Sequence, residues 1–453
     1  DIANFTWIPP TKSNRQTIMK TSMSMKTSMK TKTKLNYSGK GIPVIHEIIL
    51  MCIDDTSFQK ENKKGKHELS AELLESLRTN GGNIYKLAKT NFITQFNLIT
   101  TLDTVPEDKP RNNKKYVLAL LEGILLSSYK FQKYKTTKAL NAKQNKYSLQ
   151  KINIPGISPG IQKEITELIT IIKSVFLARD LVNEPANDNK ASKFIEIVKS
   201  FIKEHPEIDS RIQIEILDKH DLEKMGMGLI LAVGKGSTPQ NAPRILIVKY
   251  RGHDCPHNKP FDPAIALLGK GITYDTGGID LKSPKHMLEM KSDLAGGASI
   301  ISFLLGYAIN RGEKCIIGMV PFAENSISSQ AVKPSDVVRA FDGRNVEITD
   351  TDAEGRLILA DCLAYITEKY KNTMIMDFAT LTGQQESLSG KMFSNVLGVN
   401  TDEEIGELIK AGANPNDMLN AGYNLAALQY AGETIKNLVS DGATASELEK
   451  AGA

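Results

Sequence analysis

Tryptophan occurs once in this chain of 453 residues, and cysteine only four times. Cys52, Cys255, Cys315 and Cys362 are widely scattered, with no CxxC pair. That spacing argues against a disulfide framework, and a reducing, cytoplasmic setting is the expectation. No apolar run approaches the roughly 20 residues needed to cross a bilayer, so no membrane partner is expected. Acidic residues are almost missing from positions 1–40, where eight Lys/Arg face Asp1 alone. That surplus of +7 leaves −2 for the rest of the chain, which carries +5 overall. A nearly neutral body gives no broad face for nucleic acid, and nucleic-acid binding would rest on the basic tail alone.

The tail itself repeats Met-Lys-Thr-Ser and has few large apolar side chains to offset the entropy of ordering. Residues 1–42 therefore read as a disordered basic extension. The same hydroxyl-rich, acid-poor composition fits a transit peptide, which would make the location organellar. Residues 43–160 read as a first α/β domain: PVIHEIILMCI is strand-like, while ELSAELLESL and YVLALLEGILLSSYKF have helical periodicity. A further helix, EITELITIIKSVFLARDLVN, runs into Asn183-Glu184-Pro185, where the proline predicts a stop.

Residues 161–400 alternate strands with helices. RILIVKY (244–250), AIALLGK (264–270), CIIGMV (315–320) and TMIMDFA (373–379) are short apolar runs of the kind buried on both faces. The predicted class is α/β with two domains, the second a mixed, largely parallel sheet flanked by helices. Residues 401–453 differ again. Glycine recurs at 412, 422, 432, 442 and 452, in phase with Met418, Leu428, Leu438 and Leu448. Asn414, Asn424, Thr434 and Thr444 are placed to cap short helical turns. The decamers predict a small helical repeat array, which could serve a protein partner.

Two stretches carry chemistry. One is LLGKGITYDTGGIDLKSPKHMLEMKSDLAGGA (267–298), and the other is DTDAEGRLILAD (350–361). Asp275, Asp293, Asp352 and Glu354 offer four negative charges, which match two divalent cations. Acids two apart on an extended segment project to the same side, so Asp352 and Glu354 are expected to face one metal pair. All-oxygen ligation suits Zn, Mn or Mg as a catalytic pair, not a structural zinc site. Two metals about 3.5–4 Å apart can clamp an oxygen and generate hydroxide at neutral pH. The competing reading is a buried salt-bridge network in which Lys270 and Arg356 neutralise these acids.

The two stretches resemble the signatures of the leucyl aminopeptidases, the M17 family of dinuclear metallopeptidases, whose hallmark reads NTDAEGRL. ARDLVNEPAN, MGMGLILAVGKGS, AENSIS, KPSDVVRAFDGRNVEI and FATLTG are similar to further family blocks in the same order. The resemblance implies an enzyme that hydrolyses N-terminal residues from peptide substrates with two divalent metal ions. It implies that Lys270, Asp275, Asp293 and Glu354 ligate one metal, and that Asp275, Asp352 and Glu354 ligate the other. Lys282 would polarise the scissile carbonyl, and Arg356 would hold a bicarbonate that relays a proton. Met290, Thr380, Leu381 and Gly383 would line the substrate cleft. A homo-oligomer, a hexamer in the family, is also implied.

Two departures stand out. Asp350 replaces the hallmark asparagine, and the decamers begin soon after FATLTG, where the family pattern continues through further strands and helices. The second departure motivates an alternative function, a scaffold or interaction protein working through its C-terminal repeats.

Overall fold

The computed structural model describes residues 71–98, 113–140 and 149–383, except 155–156, 158, 256 and 371–372. It adds four short strands, Leu35–Tyr37, Pro43–Ile45, Gln59–Glu61 and His67–Leu69. Most of the basic tail and the whole decamer array fall outside the described residues. Asp1–Leu381 form one compact unit, and Thr382–Ala453 form a second.

Six strands make one sheet in the first unit. In chain order they are β1 (Ile212–Leu217), β2 (Arg244–Tyr250), β3 (Ile265–Gly269), β4 (Gly271–Asp275), β5 (Ile316–Asn325) and β6 (Met374–Phe378). The spatial order is β6-β3-β5-β2-β1, with β4 also paired to β5. Pairs β3–β5, β4–β5 and β3–β6 are parallel, whereas β2–β5 and β1–β2 are antiparallel. The four predicted strands are all present. The short extended piece expected between Lys270 and Asp275 is β4, whereas β1 was not predicted, because IQIEIL lies between helical stretches.

The alternation of side chains decides the layers. Leu246, Val248 and Tyr250 of β2 enter one core cluster, with Leu181, Phe194, Val198 and Leu304 from helices. Ile245 and Ile247 of the same strand enter the other cluster, with Ile230, Val233, Ile358 and Tyr365. One face is thus covered by α3 (Pro159–Asn183), α4 (Ala191–Glu204) and α6 (Ala295–Ile309). The other is covered by α5 (Gly228–Val233) and α7 (Glu354–Lys369). Helix α3 ends at Asn183, as the proline predicted. Upstream, α1 (Ala71–Thr90) and α2 (Asn113–Ser127) bury Leu77, Tyr85 and Ile124.

Two expectations need correction. Met290–Ile309 is long and apolar enough to span a membrane by composition, yet most of it is buried inside the protein. Two of the four cysteines are also not isolated: Cys255 and Cys315 form a disulfide, with Cα atoms 5.5 Å apart. Antiparallel pairing of β2 with β5 sets Tyr250 opposite Ile316, which draws together residues 60 apart in sequence. Cys362 is free and buried in α7.

Candidate metal centre

Strands β3 and β4 run in line along the same neighbour, β5, and Lys270 fills the one-residue break between them. Its backbone N–H donates to Phe378 O of β6, and its carbonyl accepts from Gly297 N at the start of α6. Held from both sides, Lys270 sends its side chain into the protein, where it is buried. Nζ lies 2.8 Å from Asp293 Oδ1, 2.8 Å from Glu354 Oε1 and 3.1 Å from Thr380 O.

Glu354 is the first residue of α7, and the next residue explains the Glu-Gly-Arg order of the motif. A Cβ on Gly355 would sit 2.6 Å from Lys270 Cε and 2.8 Å from its Nζ. Only glycine leaves room for the lysine there. Gly355→Ala is expected to displace Lys270, costing about 1–3 kcal/mol as overpacking and weakening metal uptake. Urea unfolding and metal content, measured on the same sample, check both parts.

Asp275 ends β4, and the following turn has Gly277 and Gly278 at φ of 86° and 70°, the left-handed region. That turn folds Lys282 back, its amide donating to Thr276 O. Lys282 Nζ then lies 2.8 Å from Asp275 Oδ2 and also pairs with Asp352 Oδ1.

The four acids therefore sort into two lysine-centred pairs. The expectation that Asp352 and Glu354 share one extended side is not met. Asp352 lies in a turn and Glu354 already starts the helix, so Asp352 faces Lys282 while Glu354 faces Lys270. Asp275, Asp293 and Glu354 nevertheless converge, each offering an oxygen within 4.8 Å of the others, and all three are buried.

Electrostatics mark the place as strained for charge. Burial pushes the Glu354 carboxyl up to about 7; Lys270 pulls it down, while Asp275 and Asp293 add to the rise. Burial likewise raises Asp293 and Asp352 above the usual carboxylate range. For Lys270, burial works to lower the ammonium's pKa, but Asp293 and Glu354 together raise it. Lys282 behaves the same way, lifted by Asp275 and Asp352 against burial. Four carboxylates against two ammoniums leave the group short of positive charge. Asp293 Oδ2 and Glu354 Oε2 are buried without a hydrogen-bond partner among the described residues. Orphaned carboxylate oxygens on converging acids are what a divalent cation would satisfy, so the residues present fit such a group.

The other predicted residues stand further out. Thr380 is exposed but reaches the centre, its hydroxyl donating to Asp293 Oδ1 at 2.7 Å. Arg356 is exposed on α7, and no hydrogen bond or ion pair among the described residues ties it to the acids. The salt-bridge alternative is met by Lys270 and Lys282, not by Arg356. Met290, half-buried, opens a short 3₁₀ turn ahead of Asp293, and Leu381 is 41% exposed. Gly383 belongs to the second unit. Asp350 fits its place: its Oδ1 accepts from Asp352 N at 2.8 Å, a turn bond that aspartate and asparagine both make. Asp361, wholly buried in α7, accepts from Leu229 N, Ile230 N and Phe341 N, and so anchors the start of α5.

Sequence reasoning missed Asn325, Thr351 and Asp280. Thr351 and Asp280 exchange hydrogen bonds that clasp the two motif loops, Asp280 N to Thr351 Oγ1 at 2.9 Å and Thr351 N to Asp280 Oδ2 at 2.8 Å. The only signal for them was their place inside the quoted blocks.

The chain is thus a layered α/β protein whose buried lysine–carboxylate centre fits divalent cations. A profile of the "Cytosol aminopeptidase family, catalytic domain" matches residues 176–451, a range that takes in the decamers. The chain belongs to that family. It is 35% identical to a probable cytosol aminopeptidase of Clostridium perfringens over 324 residues, 71% of this chain and 62% of that protein. It is 34% identical to a cytosol aminopeptidase of Rickettsia prowazekii over 301 residues, 66% and 57% respectively. The chain thus spans about six-tenths of the length of the curated relatives it matches. Among solved structures, a tomato leucine aminopeptidase mutant aligns with a TM-score of 0.60 and 26% identity, covering 71% of this chain and 59% of that one. The bottromycin maturation enzyme BotP in complex with Mn shares the fold, with a TM-score of 0.58 at 23% identity, covering 73% and 68%.

Proposed function

We propose that this chain is a metal-dependent aminopeptidase that removes N-terminal residues from peptides, with two divalent cations of the Zn, Mn or Mg kind. The observation that carries the reading is the buried trio Asp275, Asp293 and Glu354, two of whose oxygens lack partners among the described residues. Lys270, Asp275, Asp293 and Glu354 would hold one ion, and Asp275, Asp352 and Glu354 the other. Bound there, the ions would polarise a carbonyl and lower the pKa of water. Lys270 is an ammonium between two acids in the structure and must give up its proton to ligate.

The remaining roles fall to the chain's own groups. Lys282, part-exposed beside Asp275 and Asp352, would donate to the carbonyl oxygen as negative charge develops on it. Arg356 would use its exposed guanidinium to hold a bicarbonate that relays a proton. Met290, Thr380 and Leu381 would line the cleft for the first residue of the peptide. A cytoplasmic setting accords with relatives named cytosol aminopeptidases.

The chain stripped with a chelator and reloaded with Mn²⁺ should regain turnover of leucyl amides that the stripped form lacks. Equal turnover with and without the ion would sink the metal-dependent reading. Tight ion uptake with no turnover of any dipeptide or leucyl amide would sink the aminopeptidase part.

A further inference from the structure

Asn325 closes β5 at the register position opposite Asp275, just after an irregularity in the β4–β5 ladder. It is buried. Its backbone carbonyl accepts from Thr276 N at 3.0 Å and Thr276 Oγ1 at 2.8 Å, so the residue is fixed before its side chain is considered. The side-chain nitrogen then donates twice, to Asp275 Oδ1 at 2.8 Å and to Thr351 O at 3.0 Å. The amide orientation follows from those partners. Turned over, its oxygen would face two acceptors and gain no donor.

Asp275 Oδ1 also accepts from Gly277 N at 2.9 Å. With two donors on Oδ1, the carboxylate cannot swing, and Oδ2 is the oxygen left facing Lys282. Thr351 immediately precedes Asp352 in the second motif loop. One amide group therefore fixes the rotamer of an acid in the first loop and the backbone of the second. No other residue type of this size offers two N–H donors from one buried atom while keeping an oxygen.

We infer that Asn325 is a positioning residue of the metal centre, orienting Asp275 and holding the 350–354 loop against it so that acids from both loops converge. This inference rests on the metallopeptidase reading and adds to it a residue that touches neither substrate nor ion. Partners that orient metal ligands are worth about tenfold to a hundredfold in metal affinity.

Calorimetric titration of the full chain with Mn²⁺ alone tests it, comparing native protein with Asn325→Asp and Asn325→Leu. Aspartate nearly preserves volume and leucine keeps the branched outline with two bulkier methyls; both remove the two donors, and aspartate also sets a carboxyl against Asp275. The expected result is a loss of about tenfold to a hundredfold in Mn²⁺ affinity for each. Melting temperatures of the ion-free proteins should stay within a few degrees of native, a pattern that a space-filling role would not give. Native affinity in either variant would overturn the inference. So would failure of both variants to fold, which would make Asn325 a general support of the sheet. If the native chain itself takes up no Mn²⁺, the metal reading falls, and that outcome is visible before any variant is compared.

Discussion

Glu354→Ala is expected to lose bound Mn²⁺ and peptidase turnover together, with kcat/KM down by at least about a thousandfold, about 4 kcal/mol. The reason is the position of the side chain at the meeting point of the buried acids, with one oxygen on Lys270 and the other without a partner among the described residues. In the proposed ligand sets it is one of two acids shared by both ions. Truncation leaves Lys270 with Asp293 Oδ1 and Thr380 O as acceptors, so the ammonium is not stranded and the fold should persist. Elemental analysis of the purified variant beside its leucyl-amide turnover makes the check. Full activity would remove Glu354 from the mechanism.

Lys282→Ala should divide what Glu354→Ala joins. Metal content is expected to stay at the native level while kcat falls about a hundredfold, about 2.7 kcal/mol, the typical cost of one lost oxyanion donor. Ion uptake should not suffer, because the Lys282 ammonium occupies Asp275 Oδ2 and Asp352 Oδ1, oxygens that a cation would otherwise contact. Its removal relieves that competition. A variant with undiminished kcat would exclude Lys282 from stabilising the developing charge. One that lost its metal would show the lysine to be a support for the acids instead.

Much of the site was legible because its chemistry is carried by residue type. Lys270, Asp275, Asp293 and Glu354 were picked out as acids and a lysine crowded into glycine-rich, apolar surroundings; the fold sets Lys270 on Asp293 and Glu354 and brings oxygens of the three acids within 4.8 Å of one another. Thr380 was legible only through resemblance, and its bond to Asp293 spans 87 positions. The strands of the sheet core were legible where apolar runs were continuous. β1 was not, because IQIEIL is interrupted by a glutamine and a glutamate.

The amino-acid sequence by itself determined the inventory: the acids, the lysines, the glycine that makes room for Lys270, the alternation that sorts β2 between two cores, and the proline that ends α3. Those features act over a few residues, so local physics expresses them without further help. Tertiary structure alone decided the pairings. It set Asp352 on Lys282 and Glu354 on Lys270, since the helix begins between the two acids and turns them apart. It joined Cys255 to Cys315 and aimed Asn325 at Asp275 from 50 positions away. Each of those depends on which strand lies beside which, a choice made by burial across the whole sheet and not by any single stretch of chain.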